Sequence, residues 1–511
     1  MKYRLISLAA VVLMLAIVAA VQDFQPAENR YHQHLEDEPY TPCTDHGDEV
    51  FCTHLPLMNI VTDEAVPEPF LYDEQGQRLE NEYGVPISNN EMVAATISYF
   101  DGEDSNNHLT DDPVVSERAQ LRVRGATSRQ YDKKGYLLKI KEENLVDNKD
   151  VSFSGMTADS EWVLNGPYWD KSLVRNYLCY NLSGEIMEYA PNVRFIELFL
   201  NGEYKGLYLL IEKVKYNDGG RIQLSETDPD SKETSYILQI DRGTTEPLKD
   251  IQTFASTTGL TTKYGLSYGQ YEIRYPSKTL TEEQRGFIER DISRAEKILS
   301  SFDYRDPKVG YPNLIDTQSF IDYFLISEFT LNYDSMGLST YLYKDVRGKF
   351  KLCVWDFNCA FDYFVTTVTD PHIFETQTKM WYGFLFRDDK FVNQVIERYR
   401  ALRQTVLSDE YLLSYIDETI EYLGPAIDRN FQVWGYTFES SDNELGFTFL
   451  KPKERNPKNY EDAVSQLKEC VIERGAFMDE NIERLYLIGH TSMNKKYNYN
   501  KYNYNAGGGF N

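Results

Sequence analysis

The order of apolar and polar residues predicts a β-rich first part of the chain, at about residues 56–245. Apolar residues there alternate with polar ones in several short runs, which is the pattern of half-buried strands. Asn201-Gly202 is typical of a tight turn that joins two of these strands. The predicted strands are Met58–Thr62, Met92–Phe100, Ala119–Val123, Gly135–Lys141, Val193–Leu200, Tyr204–Val214 and Tyr236–Asp241.

One helix is predicted within this β-rich part. Apolar residues recur every four positions, at Val174, Leu178, Leu182 and Ile186, which places them on one helical face. Asp170 can cap the start of the helix through its carboxylate.

The pattern becomes mainly helical at residues 246–490. Thr281 and Gln284 form a capping box ahead of an apolar-striped helix. A second helix, over Thr317–Phe329, leads directly to Asp334. Further amphipathic stretches follow at about 388–406, 408–429 and 460–486. The chain is therefore predicted to have an α+β fold.

Both ends of the chain carry segments that are predicted to lie outside the fold. Residues 1–20 place Lys2 and Arg4 ahead of an apolar run, which is the layout of a signal peptide. An uncleaved membrane anchor is the alternative, and only then is a membrane partner expected. In either case the protein is predicted to be secreted or extracytoplasmic. Residues 21–55 form an acidic leader, and residues 491–511 form a low-complexity tail.

Composition favours a folded protein and argues against some partners. Of the 511 residues, 41% are apolar and 14% are aromatic, unlike a disordered chain. The net charge of −27 argues against nucleic acid as a partner, because phosphate backbones recruit Lys and Arg. A local basic pocket for ATP is compatible with this net charge. The negative charge would favour a basic protein substrate, and a role in solubility alone is the alternative. Cys43 and Cys52 are close enough in sequence to form a local disulfide.

A predicted β-hairpin is flanked by two acidic residues, Asp334 and Asp356. Its strands are Ser339–Lys344 and Lys349–Trp355, with a turn at residues 345–348. Because a hairpin brings its two ends together, the flanking carboxylates should lie close to each other. Protein kinases arrange a catalytic Asp, a short hairpin and a Mg²⁺-binding Asp in this order. An ordinary hairpin with acidic ends is the alternative.

The segment RGATSRQYDKKGYLLKI, which begins at Arg124, is a candidate phosphate-binding loop. Small and hydroxyl residues up to Ser128 would let backbone amides approach a phosphate between two arginines. In a kinase the following strand carries a phosphate-binding Lys. Lys139 is the best placed residue for that role, and Lys134 is its rival. A basic surface hairpin would have a similar sequence.

Two further segments fit a nucleotide cleft. Polar residues at the start of the predicted helix, including Arg175 and Asn176, either cap it or face the cleft, where the helix would orient the phosphate-binding Lys. The strand that ends at Glu212 would form the hinge whose backbone contacts adenine. A solvated strand end is the alternative for Glu212.

Taken in order, these motifs resemble the CotH family of secreted or spore-coat-associated proteins with an atypical protein-kinase fold. The resemblance runs from about Met58 to Leu487. It depends on RGATSR with KKGYLLKI, WVLNGPYWDKSLVRN, FLNGEYKGLYLLIEKV and NYD…YLYKD…WDFN. The resemblance implies a two-lobed kinase-like fold with a β-rich N-lobe and a mainly helical C-lobe. It also implies transfer of phosphate from ATP to Ser or Thr of proteins, with Mg²⁺, or Mn²⁺ as the alternative.

The resemblance also assigns roles to residues. Asp334 would accept the proton of the substrate hydroxyl, and Asp356 would bind Mg²⁺, with Trp355 near the nucleotide. Lys139 would bind phosphate.

Three positions depart from the family pattern. Ser339 replaces a metal-binding Asn, and Asn358 replaces a second acid, although its carbonyl oxygen can still bind Mg²⁺. Asp362 replaces the family's Gly after this motif. A nucleotide-binding pseudokinase that acts as an extracellular scaffold is therefore an alternative, and a surface adhesin is a third hypothesis.

Overall fold

The fold is described from a computed structural model of the chain. The described residues are 30–35, 47, 50–80, 86–102, 106–216, 221–225, 230–241, 250–256, 270–362, 370–439, 450 and 453–489. The predicted signal segment, Cys43 and the low-complexity tail lie outside them and stay predictions. Among the helices within them, none is long and apolar enough to span a bilayer.

Seven strands close into a barrel, in the spatial order β2-β3-β5-β6-β7-β9-β8. A separate two-stranded sheet pairs β1 (Cys52–Thr53) with β4 (Asn107–His108). The barrel is closed by parallel pairing of β2 with β8, where Leu57 lies opposite Glu197. Its strands are β2 (Leu57–Thr62), β3 (Val93–Phe100), β5 (Val115–Arg124), β6 (Gly135–Lys141), β7 (Glu161–Asn165), β8 (Val193–Leu200) and β9 (Glu203–Glu212).

Alternation along the barrel strands separates two cores. Leu138 of β6 lies in the apolar barrel interior, whereas Leu137 points outward into the main core. The alternation that predicted these strands therefore also decides which side chains fill the barrel. The strand β7 was not predicted, and its pairing with β6 and β9 supplies the barrel wall between them.

A second, five-stranded sheet has the order β11-β12-β10-β13-β14. Its strands are β10 (Tyr236–Asp241), β11 (Thr253–Ala255), β12 (Gln270–Tyr275), β13 (Thr340–Lys344) and β14 (Lys351–Cys353). The predicted hairpin is β13 with β14, and Gly348 N donates to Asp345 O across its turn at 2.9 Å. The structure places β10 beside the hairpin rather than in the barrel, because every residue of β10 is buried between β12 and β13.

Helices make up most of the second part of the chain. They are α1 (Arg175–Ile186), α2 (Glu282–Leu299), α3 (Thr317–Phe329), α4 (Tyr382–Leu385), α5 (Asp389–Leu402), α6 (Asp409–Leu423), α7 (Pro425–Trp434), α8 (Tyr460–Asn481) and α9 (Tyr486–Gly489). The capping box at Thr281 is confirmed. The stretch predicted at 408–429 is instead two helices, because Gly424 adopts a φ of +43° and Pro425 starts α7.

Helix α1 lies at the centre of the molecule. Ten of its twelve residues are buried, so it has no solvent face of the kind that surface helices show. Tyr177, Leu178 and Leu182 belong to one continuous apolar core that also contains residues of β8, the second sheet and α3. The predicted α+β class is confirmed, and α1 is the element on which its parts converge.

Part of the predicted acidic leader packs against this core. The Arg30 side chain donates to Asn181 Oδ1 at 2.9 Å and to Ala190 O at 3.0 Å. Gln33 exchanges two hydrogen bonds with the backbone of Phe195 in β8. His34 Nδ1 lies 3.0 Å from the Tyr177 hydroxyl of α1. Residues 30–35 therefore join β8 to α1, because their polar groups find buried partners there.

We expect His34 to lower the free energy of unfolding as the pH falls below 6.5, which is the ordinary pKa of a histidine. Burial, with His32 as the second cause, lowers the pKa of His34 to about 3. Between pH 6.5 and 3 the unfolded chain binds a proton at this site that the folded chain does not. The free energy of unfolding therefore decreases with falling pH and levels off near the folded pKa. One such group contributes at most about 1.4 kcal/mol per pH unit.

Urea unfolding of the wild type and of His34→Gln, from about pH 4 to pH 7, measures this dependence. The carboxylates titrate in both proteins, so the difference between the two slopes isolates His34. A shallower slope is expected for the variant. Parallel slopes would show that His34 is not buried in its neutral form.

Candidate active site

Helix α1 holds the segment that follows the hairpin through the side-chain amide of Asn176. Asn176 Nδ2 donates to Asn358 Oδ1 at 2.7 Å, and Phe357 N donates to Asn176 Oδ1 at 2.9 Å. Asn176 is only 3% exposed, so both bonds are shielded from water. This two-way pairing positions the backbone immediately after Asp356.

Two more residues of α1 extend this contact. The Tyr180 hydroxyl accepts from Asp356 N at 2.9 Å, and Arg175 Nε donates to Ala360 O at 3.1 Å. Arg175 is itself held by a buried ion pair of 2.7 Å with Asp170, which also accepts from Arg175 N. Helix α1 was predicted either to be capped by these polar residues or to orient a phosphate-binding Lys. The contacts that the structure shows orient the segment around Asp356.

The loop that carries Asp334 meets the same segment from the other side. Asn332 Nδ2 donates to Asp356 O at 2.9 Å. Cys359 Sγ lies 4.0 Å from Asp334 Oδ2. The loop of Asp334 and the segment of Asp356 thus lie in contact at the open end of the hairpin, although β14 already ends at Cys353.

Backbone strain is concentrated in these two segments. Asp356 adopts a φ of +62°, and Met336 and Ser339 have φ values of +66° and +49°. Residues other than glycine rarely adopt this left-handed backbone conformation, and they keep it only where surrounding contacts hold them. At Asp356 the bonds from Tyr180 and Asn332 supply that restraint.

The carboxyl group of Asp356 has a raised pKa. Burial is the largest cause, and the negative charge of Asp241 at the end of β10 adds to it. A hydrogen bond from Asn358 N and the charge of Arg124 act in the opposite direction. A cation placed here would replace part of the missing solvation and would favour the carboxylate.

Arg124 lies at the barrel side of the site. Its guanidinium carbon lies 5.4 Å from the centre of the Trp355 ring, which is a cation–π distance. Trp355 is 7% exposed and packs edge-on against Tyr180. The structure therefore brings Arg124 and Trp355 together beside Asp356.

The candidate phosphate loop is tightly folded next to Arg124. Gly125 has a φ of +108°, and a Cβ there would lie 1.9 Å from Ser128 Oγ, so only glycine fits. The buried side chain of Arg129 donates to the carbonyl oxygens of Gly125, Pro69 and Asn89. Arg129 therefore anchors the loop, and Ser128 packs within it.

The side chains of three residues that were predicted to line the nucleotide site have partners within the protein. Lys134 Nζ donates to Arg129 O at 3.0 Å within its own loop. Lys139 forms an ion pair of 3.0 Å with Glu161 of β7. Glu212 is fully buried, not solvated, and its carboxylate accepts from the backbone and side chain of Asn192.

The Lys139 ion pair belongs to a larger charged cluster. Burial opposes ionisation of Glu161, yet Lys213, Lys139 and Lys215 together hold its pKa well below the ordinary value. Lys215 also lies 2.8 Å from Asp159. The positive charges of this cluster are thus matched by the carboxylates of Glu161 and Asp159. Lys139 therefore pairs with a Glu, as the phosphate-binding Lys of kinases does.

Two residues near Asp356 were not predicted as site residues. Asp241 was predicted only as a strand end, and the pairing of β10 with the hairpin brings its charge within reach of Asp356. Asn332 stands in the NYD motif, in which only Asp334 was predicted as a site residue. Pairing between strands about 100 residues apart leaves no local signal that could have identified Asp241.

The residues present fit a Mg²⁺ ion that is shared with a phosphate. Mg²⁺ is usually held by one or two carboxylates, with phosphate and water oxygens completing the shell. Asp356 supplies one carboxylate, and Asp241 is close enough for its charge to act on Asp356. Asn332 Oδ1 is buried and has no partner among the described residues. Among the described residues, no group of three or more His, Cys, Asp or Glu side chains is placed to bind a metal ion without other ligands.

The fold and the site define an α+β protein with acidic residues on both sides of a hairpin. Comparisons with known proteins identify its family. The sequence model of the family described as "CotH kinase protein" matches residues 121–478. The chain belongs to this CotH family. It is similar to the inner spore coat protein H of Bacillus subtilis (strain 168), with 24% identity over 271 residues. That alignment covers 49% of this chain and 63% of the relative, a little under two thirds of its length.

Replacing Asn176 by Ala should destabilise the protein. The substitution leaves Phe357 N and the Asn358 amide without their buried partner, which costs about 1–3 kcal/mol of unfolding free energy. Denaturant unfolding measures the loss. Asn393→Ala is the matched control, since Asn393 is exposed on α5 and makes only an exposed hydrogen bond with the Tyr486 hydroxyl, and it should cost less than about 0.5 kcal/mol. Equal losses would show that α1 does not restrain the segment after Asp356.

Proposed function

We propose that this protein is an atypical protein kinase that transfers the γ-phosphate of ATP to Ser or Thr of other proteins. The observation that carries the proposal is the convergence of Asp334 and Asp356 around the hairpin, with Arg124 beside them. Family membership supports it, because the family is described as a kinase. On this proposal the barrel corresponds to the small lobe of a kinase, and the second sheet with its helices corresponds to the large lobe.

Each residue has a separate task in the proposed reaction. Asp334 accepts the proton of the attacking hydroxyl, for which its half-exposed carboxylate is accessible. Asp356, with Asp241 and Asn332 nearby, holds the metal ion. Bound Mg²⁺ neutralises charge on the phosphates. Arg124 is fixed by its contact with Trp355 and provides a second positive charge for the phosphate group.

The proposed substrate is a hydroxyl of a secreted or surface protein. The net charge of −27 favours basic segments of such a protein. The similar Bacillus subtilis protein is named as a spore coat protein, which supports a surface or coat location for this chain too. The predicted signal segment is consistent with that location. Nucleic acid remains an unfavourable partner for this charge.

A second candidate function is a nucleotide-binding pseudokinase that serves as a scaffold. One observation favours it: Asn358 Oδ1, the oxygen that would bind a metal, already accepts a hydrogen bond from Asn176. Ser339 adds to this, since its hydroxyl is a poorer metal ligand than an Asn side chain. A scaffold of this kind would bind nucleotide and would not transfer phosphate.

Phosphate incorporation from labelled ATP tests the proposal. The purified protein is incubated with Mg²⁺ or Mn²⁺ and a basic acceptor protein, next to Asp334→Asn and Asp356→Asn. Both variants should lose activity by about 100-fold or more, because each removes charge that aligns or stabilises the transition state. Asp428→Asn, an exposed position on α7, should retain full activity.

The outcomes separate the two candidates. Incorporation by the wild type and by Asp428→Asn alone supports the kinase. No incorporation by any protein, together with a rise in melting temperature on adding ATP and Mg²⁺, supports the scaffold. Incorporation that survives in Asp356→Asn would contradict the proposed metal site.

A further inference from the structure

Tyr131 stands at the tip of the candidate phosphate loop, on a rigid aromatic stack. Its ring lies 5.2 Å from that of Tyr168, with planes 9° apart, and 5.3 Å from that of Trp169. These two residues directly precede Asp170, the partner of Arg175 in α1. The stack therefore connects the loop tip to the helix that orients the Asp356 segment.

The Tyr131 phenol lies close enough to the site to be affected by its carboxylates. Burial is the largest cause of a pKa far above the ordinary value, and nearby Cys359 and the carboxylates of Asp356 and Asp334 add to it. The phenol therefore keeps its proton and acts as a hydrogen-bond donor. No hydrogen bond joins this hydroxyl to another described residue, so the donor is available to a ligand.

Two contacts from the second part of the chain hold the loop tip in place. The Tyr436 hydroxyl donates to Asp132 Oδ2 at 2.7 Å. Lys133 is 2% exposed, and its Nζ donates to Asn430 Oδ1 at 2.7 Å. The two residues that follow Tyr131 are thus tied to α7 and the turn after it, which restricts the movement of Tyr131.

We propose that Tyr131 is a further catalytic residue, whose hydroxyl donates a hydrogen bond to the terminal phosphate of ATP bound at Asp356. This inference rests on the proposed nucleotide site. A neutral phenol suits a position close to several carboxylates, since the phenol adds no charge. It can donate its hydrogen bond to the phosphate without a change of protonation. Asp132 and Lys133, with their partners Tyr436 and Asn430, are positioning residues that act through the loop.

The test compares ligands with and without the terminal phosphate. Binding of ADP and of a non-hydrolysable ATP analogue with an imido-linked γ-phosphate is measured by calorimetry with Mg²⁺. Tyr131→Phe keeps the stacked ring and removes only the hydroxyl. Its affinity for the ATP analogue should fall about tenfold, because a hydrogen bond to a charged group is lost. Its affinity for ADP should not change.

Two further variants accompany this comparison. Tyr436→Phe, which frees Asp132, should show a smaller loss that is again confined to the ATP analogue. Tyr304→Phe is the matched control, since its hydroxyl donates to Arg387 O far from the loop, and it should bind both ligands as the wild type does.

Each result decides between the assignments. Unchanged binding in Tyr131→Phe, or equal losses for both ligands, overturns the role of Tyr131. A wild type that binds neither ligand overturns the proposed nucleotide site and this inference with it. A wild type that binds both and transfers no phosphate refutes only the kinase, and the difference between the two ligands still decides the role of Tyr131.

Discussion

The hydrogen bonds that Asn176 makes with Phe357 and Asn358 are the constraint on which the site depends. Breaking these bonds would leave buried polar groups unsatisfied, which is costly. The segment after Asp356 therefore has little freedom to move relative to α1. Because α1 is buried on nearly all sides, its own position is determined by the main core. The packing of the main core therefore also restricts the position of the Asp356 carboxylate at the centre of the site.

The restraint also explains why a strained and charged segment can exist there. Asp356 combines a left-handed backbone with a half-buried carboxyl group that is also under the influence of the Asp241 charge, and each of these features is unfavourable alone. A ligand that brings positive charge would relieve the electrostatic part. On the proposed function, the metal ion would supply that charge.

Local pattern predicted the elements well, and long-range contacts account for what it missed. Strand β6 and helix α3 have the predicted bounds because their apolar spacing reflects local geometry. Closure of the barrel, the partner of β10 and the place of Asp241 depend on pairings between distant segments, which no single stretch encodes. The same applies to the site: Asp334 and Asp356 were predicted from one hairpin, whereas Asn332 and Tyr131 became recognisable only through their neighbours in space.

The central claim is that Asp356, held by α1, is the metal ligand of a nucleotide site. A crystal structure with Mn²⁺ and a non-hydrolysable ATP analogue, with the ion located by its anomalous scattering, tests this claim most directly. The account predicts one strong peak within coordination distance of the Asp356 carboxylate and of a phosphate oxygen, with Arg124 beside the phosphates. A nucleotide bound elsewhere, or a metal ion away from Asp356, would contradict it.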